Sequence, residues 1–132
     1  MRDNISDMLT RIRNGQKAKL SEIELFWPTP SICMNILKVL YKEGYIRGFK
    51  KIYKNKKIIV KILLKYDIQG IPAINKIERI SKPSRRIYTS IKSLWKVKTG
   101  LGIFILSTPK GIITDTDARF LNSGGEVLCY IS

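Results

Sequence analysis

The sequence predicts an α+β fold, with an N-terminal α-β-α-β-β domain packed against a mainly β C-terminal domain that carries one short helix. Three observations lead there. Apolar residues recur at helical spacing in "DNISDMLTRIRNGQKA" and in "TPSICMNILKVLYKEG", with the short β-like run "IELFW" between them. From Tyr45 to Tyr66, two stretches rich in β-branched and aromatic residues flank the polar "KNK". Beyond Gly70 and Pro72 the apolar runs are short and strand-like, apart from "TDTDARFLN". The bend at "DIQGIPAI" sets the expected boundary between domains of residues 1–67 and 68–132. At 132 residues, such a chain buries about two-thirds of its unfolded surface and needs no metal or disulfide to fold.

In the first helix Ile5, Met8, Leu9 and Ile12 fall at i, i+3, i+4 and i+7. Asn4 is placed to cap it, with Asp7 three residues on. Arg11, Arg13 and Lys17 project from flanks that the apolar stripe leaves free. The second helix takes Thr29 as its expected N-cap, Pro30 in its first turn and Gly44 as its stop. Ile32, Cys33, Ile36, Leu37 and Leu40 face one way along it. "YIRGFKKIY" and "KIIVKILLKY" then form a hairpin across "KNK". In the second half "NKIERISK", "RRIYTS", "LGIFILS", "GIIT" and "EVLCYI" are expected strands, and "SLWKVKTG" a turn-like or short strand segment. The helix "TDTDARFLN" is expected to be capped by Thr114 with Asp117 and ended by Gly124 and Gly125.

Charge is the strongest global signal. Lys and Arg number 25 against 10 Asp and Glu, a net +15. Self-repulsion at this density is relieved by a polyanion, and nucleic acid comes first because counterion release rewards clustered Lys and Arg. The charge is blocked. Arg47, Lys50, Lys51, Lys54, Lys56, Lys57, Lys61 and Lys65 lie between Glu43 and Asp67 with no acid among them. Arg79, Lys82, Arg85, Arg86, Lys92, Lys96, Lys98 and Lys110 fill the acid-free interval from Glu78 to Asp115. Interleaved apolar residues make these two basic faces rather than a tail. No stretch approaches the ~20 apolar residues of a bilayer span.

Little here speaks for catalysis. The chain has no histidine, which removes the commonest general base and the commonest metal ligand. Asp115, Asp117 and Glu126 are the one close acidic group, and two of them stand at a helix N-terminus where the macrodipole favours them. No catalytic residue, metal site or cofactor is expected. Cys33 and Cys129 read as buried free thiols of a reducing compartment. Among the aromatics, Tyr41, Tyr45, Phe49, Tyr53, Tyr66 and Trp95 take core-facing positions by default. Tyr88, following Arg85 and Arg86, is the one expected to touch a partner.

"STPKG" at 107–111 is neither a P-loop nor a dinucleotide fingerprint, and by itself reads as a hairpin turn. Ser and Thr hydroxyls also suit the 2′-hydroxyls and base edges of a shallow RNA minor groove. "GGE" offers glycines for close approach and a carboxylate, Glu126, that could accept from base amino groups. Helix-helix-hairpin order leaves a winged-helix DNA binder as the rival, but the second helix shows only Asn35, Lys38 and Lys42 for base reading.

"SDMLTRIRNGQ", "LYKEGYIRGF", "RISKPSRRIY", "GLGIFILSTPKGIITDTDAR" and "GGEVLCYI" resemble, in order and spacing from Ile5 to Ile131, the bacterial-type small ribosomal subunit protein eight family. The resemblance implies a non-enzymatic primary binder of small-subunit ribosomal RNA. Such a protein grips an irregular helix of the central domain through its C-terminal domain and aids folding and subunit assembly. Small-subunit rRNA and neighbouring small-subunit proteins are then the partners, with no membrane and no small-molecule substrate. Carried over by position, the RNA-reading loop is Ser107, Thr108, Pro109 and Lys110, with Gly124, Gly125 and Glu126 beside it and Tyr88 in the "RIY" stretch. Arg11, Arg13 and Asn14 of the first helix would meet further RNA.

The chain departs from the family pattern in three places. The family's "STS" is "STP" here, so Pro109 brings neither a side-chain hydroxyl nor an N–H. Its "RPG" is "KPS", so Ser84 implies an altered or strained turn. Lysines near the second helix start are absent, and the basic "FKKIYKNKKIIVK" hairpin could compensate. A start directly at the domain and richness in Lys, Ile and Asn favour an organelle ribosome, in the mitochondrial matrix first, with a bacterial cytoplasm or plastid stroma as alternatives.

Overall fold

In a computed structural model, residues 3–90, 93 and 102–132 are described. They fall into two compact units, Asn4–Asn75, and Lys76–Ser132 joined by Asp3. The chain is α+β, with antiparallel sheets in both units and a mainly β second unit that carries the short helix Asp115–Phe120.

The first unit opens with helix α1 (Asn4–Lys17), which buries the stripe Ile5, Met8, Leu9 and Ile12. Asn4 is its first residue, and so lies inside the helix rather than at its cap. Gly15 extends the stripe because the helix lies close on the sheet: a Cβ there would stand 2.6 Å from Ile23 Cγ2. Strand β1 (Glu22–Leu25) leads to helix α2 (Ser31–Lys42), which buries Cys33, Ile36, Leu37, Val39 and Leu40. Thr29 does not cap α2. Pro30 holds the N-cap place without a side-chain bond, and the Thr29 hydroxyl donates instead to the Trp27 carbonyl at 3.3 Å. Gly44, at φ 82°, ends the helix, and Tyr45 N–H donates to Leu40 O at 2.8 Å. Strands β2 (Ile46–Lys54) and β3 (Lys57–Leu64) follow, and the sheet runs β1-β3-β2. Between them the two-residue turn Asn55-Lys56 has φ 51° and 63°, the doubly positive pair that matches strand twist in a tight hairpin.

In the second unit, β4 (Ile77–Arg79), β5 (Tyr88–Thr89), β6 (Ile103–Thr108), β7 (Gly111–Thr114) and β8 (Gly125–Ile131) form one antiparallel sheet. Its order is β4-β8-β6-β7, with β5 also on β8. "NKIERISK" and "RRIYTS" thus contribute shorter strands than expected. Apart from Ser93, the "SLWKVKTG" segment lies outside the described residues. Leu106, Ala118 and Val127 form one buried cluster under Ile80, Phe104 and Ile113, and Ile77, Ile105, Leu128, Cys129 and Ile131 are buried as well. Helix α3 (Asp115–Phe120) has the expected cap, Thr114 Oγ1 accepting from Asp117 N–H at 3.1 Å. Its end differs from expectation. Asn122, at φ 56°, closes the helix while Ser123 N–H donates to Ala118 O at 2.9 Å, so Gly124 and Gly125 are left for the strand beyond.

Candidate nucleic-acid interface

Alternation along a strand sends Leu106 and Val127 inward to the core and their neighbours Ser107 and Glu126 to the other face. Register then builds a row. Ser107 pairs with Glu126, and Glu126 with Tyr88. Residues that are 19 and 38 positions apart in the chain therefore stand side by side on one sheet face. Tyr88 is 67 % exposed. Gly125 allows the tight approach, since a Cβ there would overlap the Ser107 carbonyl oxygen.

Glu126 is held rather than loose. Arg86 Nη1 lies 3.2 and 3.3 Å from its two oxygens, and only 12 % of the Glu126 side chain is exposed against 54 % for Arg86. The residue that positions this stretch escaped the sequence reading. Ser81 is fully buried; its Oγ accepts from Ile87 N–H at 2.7 Å and its hydroxyl donates to Ile87 O at 3.1 Å. Ile87 O also takes Val127 N–H at 2.9 Å. Arg86 and Tyr88 thus flank a residue fixed at both backbone groups. A lone serine in a polar stretch gives no sign of this, because its partner lies across a loop. That loop, Lys82 to Arg85, closes through two reciprocal backbone bonds of 2.9 and 3.0 Å. Of the altered or strained turn expected at Ser84, left-handed strain is absent, since Ser84 is not among the positive-φ residues.

Beside the row is the β6–β7 turn. Thr108 pairs with Gly111, leaving Pro109 and Lys110 as a two-residue loop. Pro109 holds the first loop position, where its fixed φ is favoured. The Thr108 hydroxyl donates to Gly111 O at 2.9 Å and accepts from Lys110 N–H at 3.1 Å, so its proton is already committed within the turn. Pro109 and Lys110 are exposed. Gly124 is half-buried just before β8.

The other expected contacts form a separate set on the first unit. Arg11, Arg13, Asn14 and Lys17 are all exposed on α1. Arg11 lies 5.9 Å over the Phe26 ring. Half of the basic hairpin block is engaged internally: Arg47 donates to Leu64 O, Lys65 to Gly44 O, and Lys54 and Lys61 pair with Glu24 and Glu22 at 3.2 and 3.4 Å. Tyr41 and Tyr53, expected in the core, are 57 % and 75 % exposed, and Phe26 and Phe120 are exposed aromatics that sequence reading passed over. Asp115 is a structural carboxylate: it is buried, pairs with Arg119 at 3.3 Å and accepts from Phe104 N–H. Among the described residues no cluster of Cys, Asp and Glu could hold a metal ion. No helix among them is long and apolar enough to cross a membrane. Cys33 and Cys129 are both buried free thiols, and burial pushes the Cys129 thiol up to about 12.

A family model described as ribosomal protein S8 matches residues 3–132. The chain belongs to the ribosomal protein S8 family. It is 49 % identical over 131 residues to the small ribosomal subunit protein uS8 of Erythrobacter litoralis, covering 99 % of this chain and 98 % of the relative. Identity to the protein of that name from Rickettsia typhi is 47 % with the same coverage. The family match runs through both units, so the Ser107–Glu126–Tyr88 row and the α1 set both fall within it.

Proposed function

We propose that this chain is a structural constituent of the small ribosomal subunit and a primary, non-enzymatic binder of the central domain of its rRNA, aiding RNA folding and assembly beside neighbouring small-subunit proteins. The observation that carries the reading is the row Ser107–Glu126–Tyr88 with Arg86 paired to Glu126; Arg85, next in the chain to Arg86, and Lys110, in the β6–β7 turn, are exposed. Exposed cations supply affinity that is indifferent to sequence and sensitive to salt. A carboxylate on such a face is repelled by phosphate, and it is tolerated where it accepts from base amino groups in a widened minor groove. Arg86 keeps it aimed, Ser107 adds a hydroxyl beside it, and Tyr88 offers a ring for stacking or a 2′-hydroxyl contact. With the Thr108 proton committed to its own turn, recognition falls mainly on Ser107 and Glu126. Pro109 shapes that turn and Lys110 reaches phosphate, while Gly124 and Gly125 admit the backbone. Arg11, Arg13, Asn14 and Lys17 make a second, less specific contact from α1. Division of labour between residues 1–67 and 68–132 follows the same lines.

Filter binding to a bulged central-domain RNA hairpin and to duplex DNA is the test. Glu126→Ala is expected to lower affinity for the bulged RNA by about 1–3 kcal/mol. Binding to unrelated RNA holds or rises, since Arg86 is released. A preference for duplex DNA, or a Glu126→Ala variant that binds the bulged RNA normally, sinks the reading. For the compartment we favour an organelle ribosome, mitochondrial first, over a bacterial cytoplasm or plastid stroma; bacterial relatives suit all three. Co-sedimentation with small subunits from purified mitochondria is the check.

A further inference from the structure

One face of the first unit's sheet runs out of cover at the tip of the β2–β3 hairpin. Leu64, Ile62 and Val60 are buried along β3, and Ile58 continues the same face yet is 65 % exposed. Its cross-strand partner is Tyr53, and Lys51 stands opposite Val60. Leu25 meets Val60 from the other side, which brings Phe26, 58 % exposed, to the same patch. With Lys56 and Lys57 these side chains line an open cleft of about 590 Å³. No acid lines it. Glu22 and Glu24 of the edge strand alternate to the opposite face, where Lys61 and Lys54 pair with them.

We infer that this cleft is a second RNA site, one that takes an unpaired nucleotide, with its base against Tyr53 or Phe26 and its flanking phosphates on Lys51, Lys56 and Lys57. The inference rests on the proposed RNA-binding function only for the class of ligand. Three lysines without an acid select a polyanion. Two exposed rings and an isoleucine demand a flat apolar group as well, and a base splayed out of a strand supplies both. A duplex keeps its base faces stacked inside and presents edges and phosphate, not a ring face. The tight turn holds Lys56 and Lys57 in a stiff hairpin, so little ordering remains to be done on binding.

The test is equilibrium binding of the full chain to a short oligoadenylate, run beside the bulged hairpin. Tyr53→Ala is expected to weaken oligoadenylate binding about tenfold and Tyr53→Phe to restore it, since stacking needs the ring and not the hydroxyl. Lys57→Glu is expected to weaken it further and flatten its salt dependence. Neither change is expected to move the Glu126-dependent affinity for the bulged hairpin. Equal oligoadenylate binding by Tyr53→Ala and the native chain overturns the inference. So does displacement by polyglutamate that is indifferent to Tyr53, which would point to an acidic protein surface. Failure of the native chain to bind the bulged hairpin overturns the proposed function instead, on its own readout.

Discussion

The two units stabilise themselves by different means. In the first, two helices bury long apolar stripes on a three-stranded sheet, and its ion pairs, Lys54–Glu24 and Lys61–Glu22, lie near the surface. In the second, a sheet core that includes Ile77, Ile105, Leu106, Ala118, Val127, Leu128, Cys129 and Ile131 is joined by the buried polar groups of Ser81, Thr114, Asp115 and Arg119, which help to hold it together. A buried polar group constrains its neighbours in direction as well as in distance. That is useful to a unit whose outer face must hold a carboxylate, a hydroxyl and a ring in fixed array. Rigidity is placed where recognition needs it, and plain burial suffices elsewhere.

Breaking the buried pair should have the largest effect. Asp115→Ala removes the carboxylate that faces buried Arg119 and the acceptor for Phe104 N–H, with an expected loss of about 3–5 kcal/mol. Glu24→Ala in the first unit should cost about 0–1 kcal/mol. Denaturant unfolding of both variants measures the difference, and similar losses would erase the contrast. Next comes Ser81→Ala, which leaves the Ile87 N–H without its partner, at about 1–3 kcal/mol of stability. Bulged-RNA affinity should fall with it while oligoadenylate binding does not. Lys110→Ala should be milder: weaker binding to all RNAs alike and a salt slope lower by about one phosphate contact. The last effect appears only in strongly alkaline solution. Buried Cys129 keeps its proton up to about 12, whereas the unfolded thiol loses it near 9.0. Its contribution to stability is therefore complete below pH 9.0 and is lost as pH rises toward about 12. Comparing the alkaline limb of stability for Cys129→Ala with that of the native chain isolates it.

Much of the fold was legible because its signals are local. The stripe Ile5, Met8, Leu9 and Ile12, the Thr114 cap with Asp117, and "GIIT" as a strand all come from spacings of a few residues, where periodicity and capping act. The misses came where a remote partner decided. Thr29 has the chemistry of a cap, but its hydroxyl went to Trp27 O. Asn122 reached the left-handed region before the glycines were needed. Tyr53 sits in a strand that reads as core, and the helices leave the hairpin tip uncovered. Gln16 of α1, which carried no expectation, is buried and accepts from Ile74 N–H at 3.3 Å, which ties the 67–75 connector to the first unit.

For the candidate site, the sequence supplied the ingredients: a strongly basic chain without histidine, a Ser-Thr-Pro-Lys turn, a lone Glu after two glycines, and a tyrosine behind two arginines. Motif order and spacing were enough to place it in its family. It took the tertiary structure to bring Ser107, Glu126 and Tyr88 into one row, to set Arg86 on Glu126 across 40 positions, and to fix Ile87 on Ser81 between Arg86 and Tyr88. The reason is range. Propensity and capping act within a turn or two of chain, whereas a strand's neighbour and register follow from which apolar faces can be buried together.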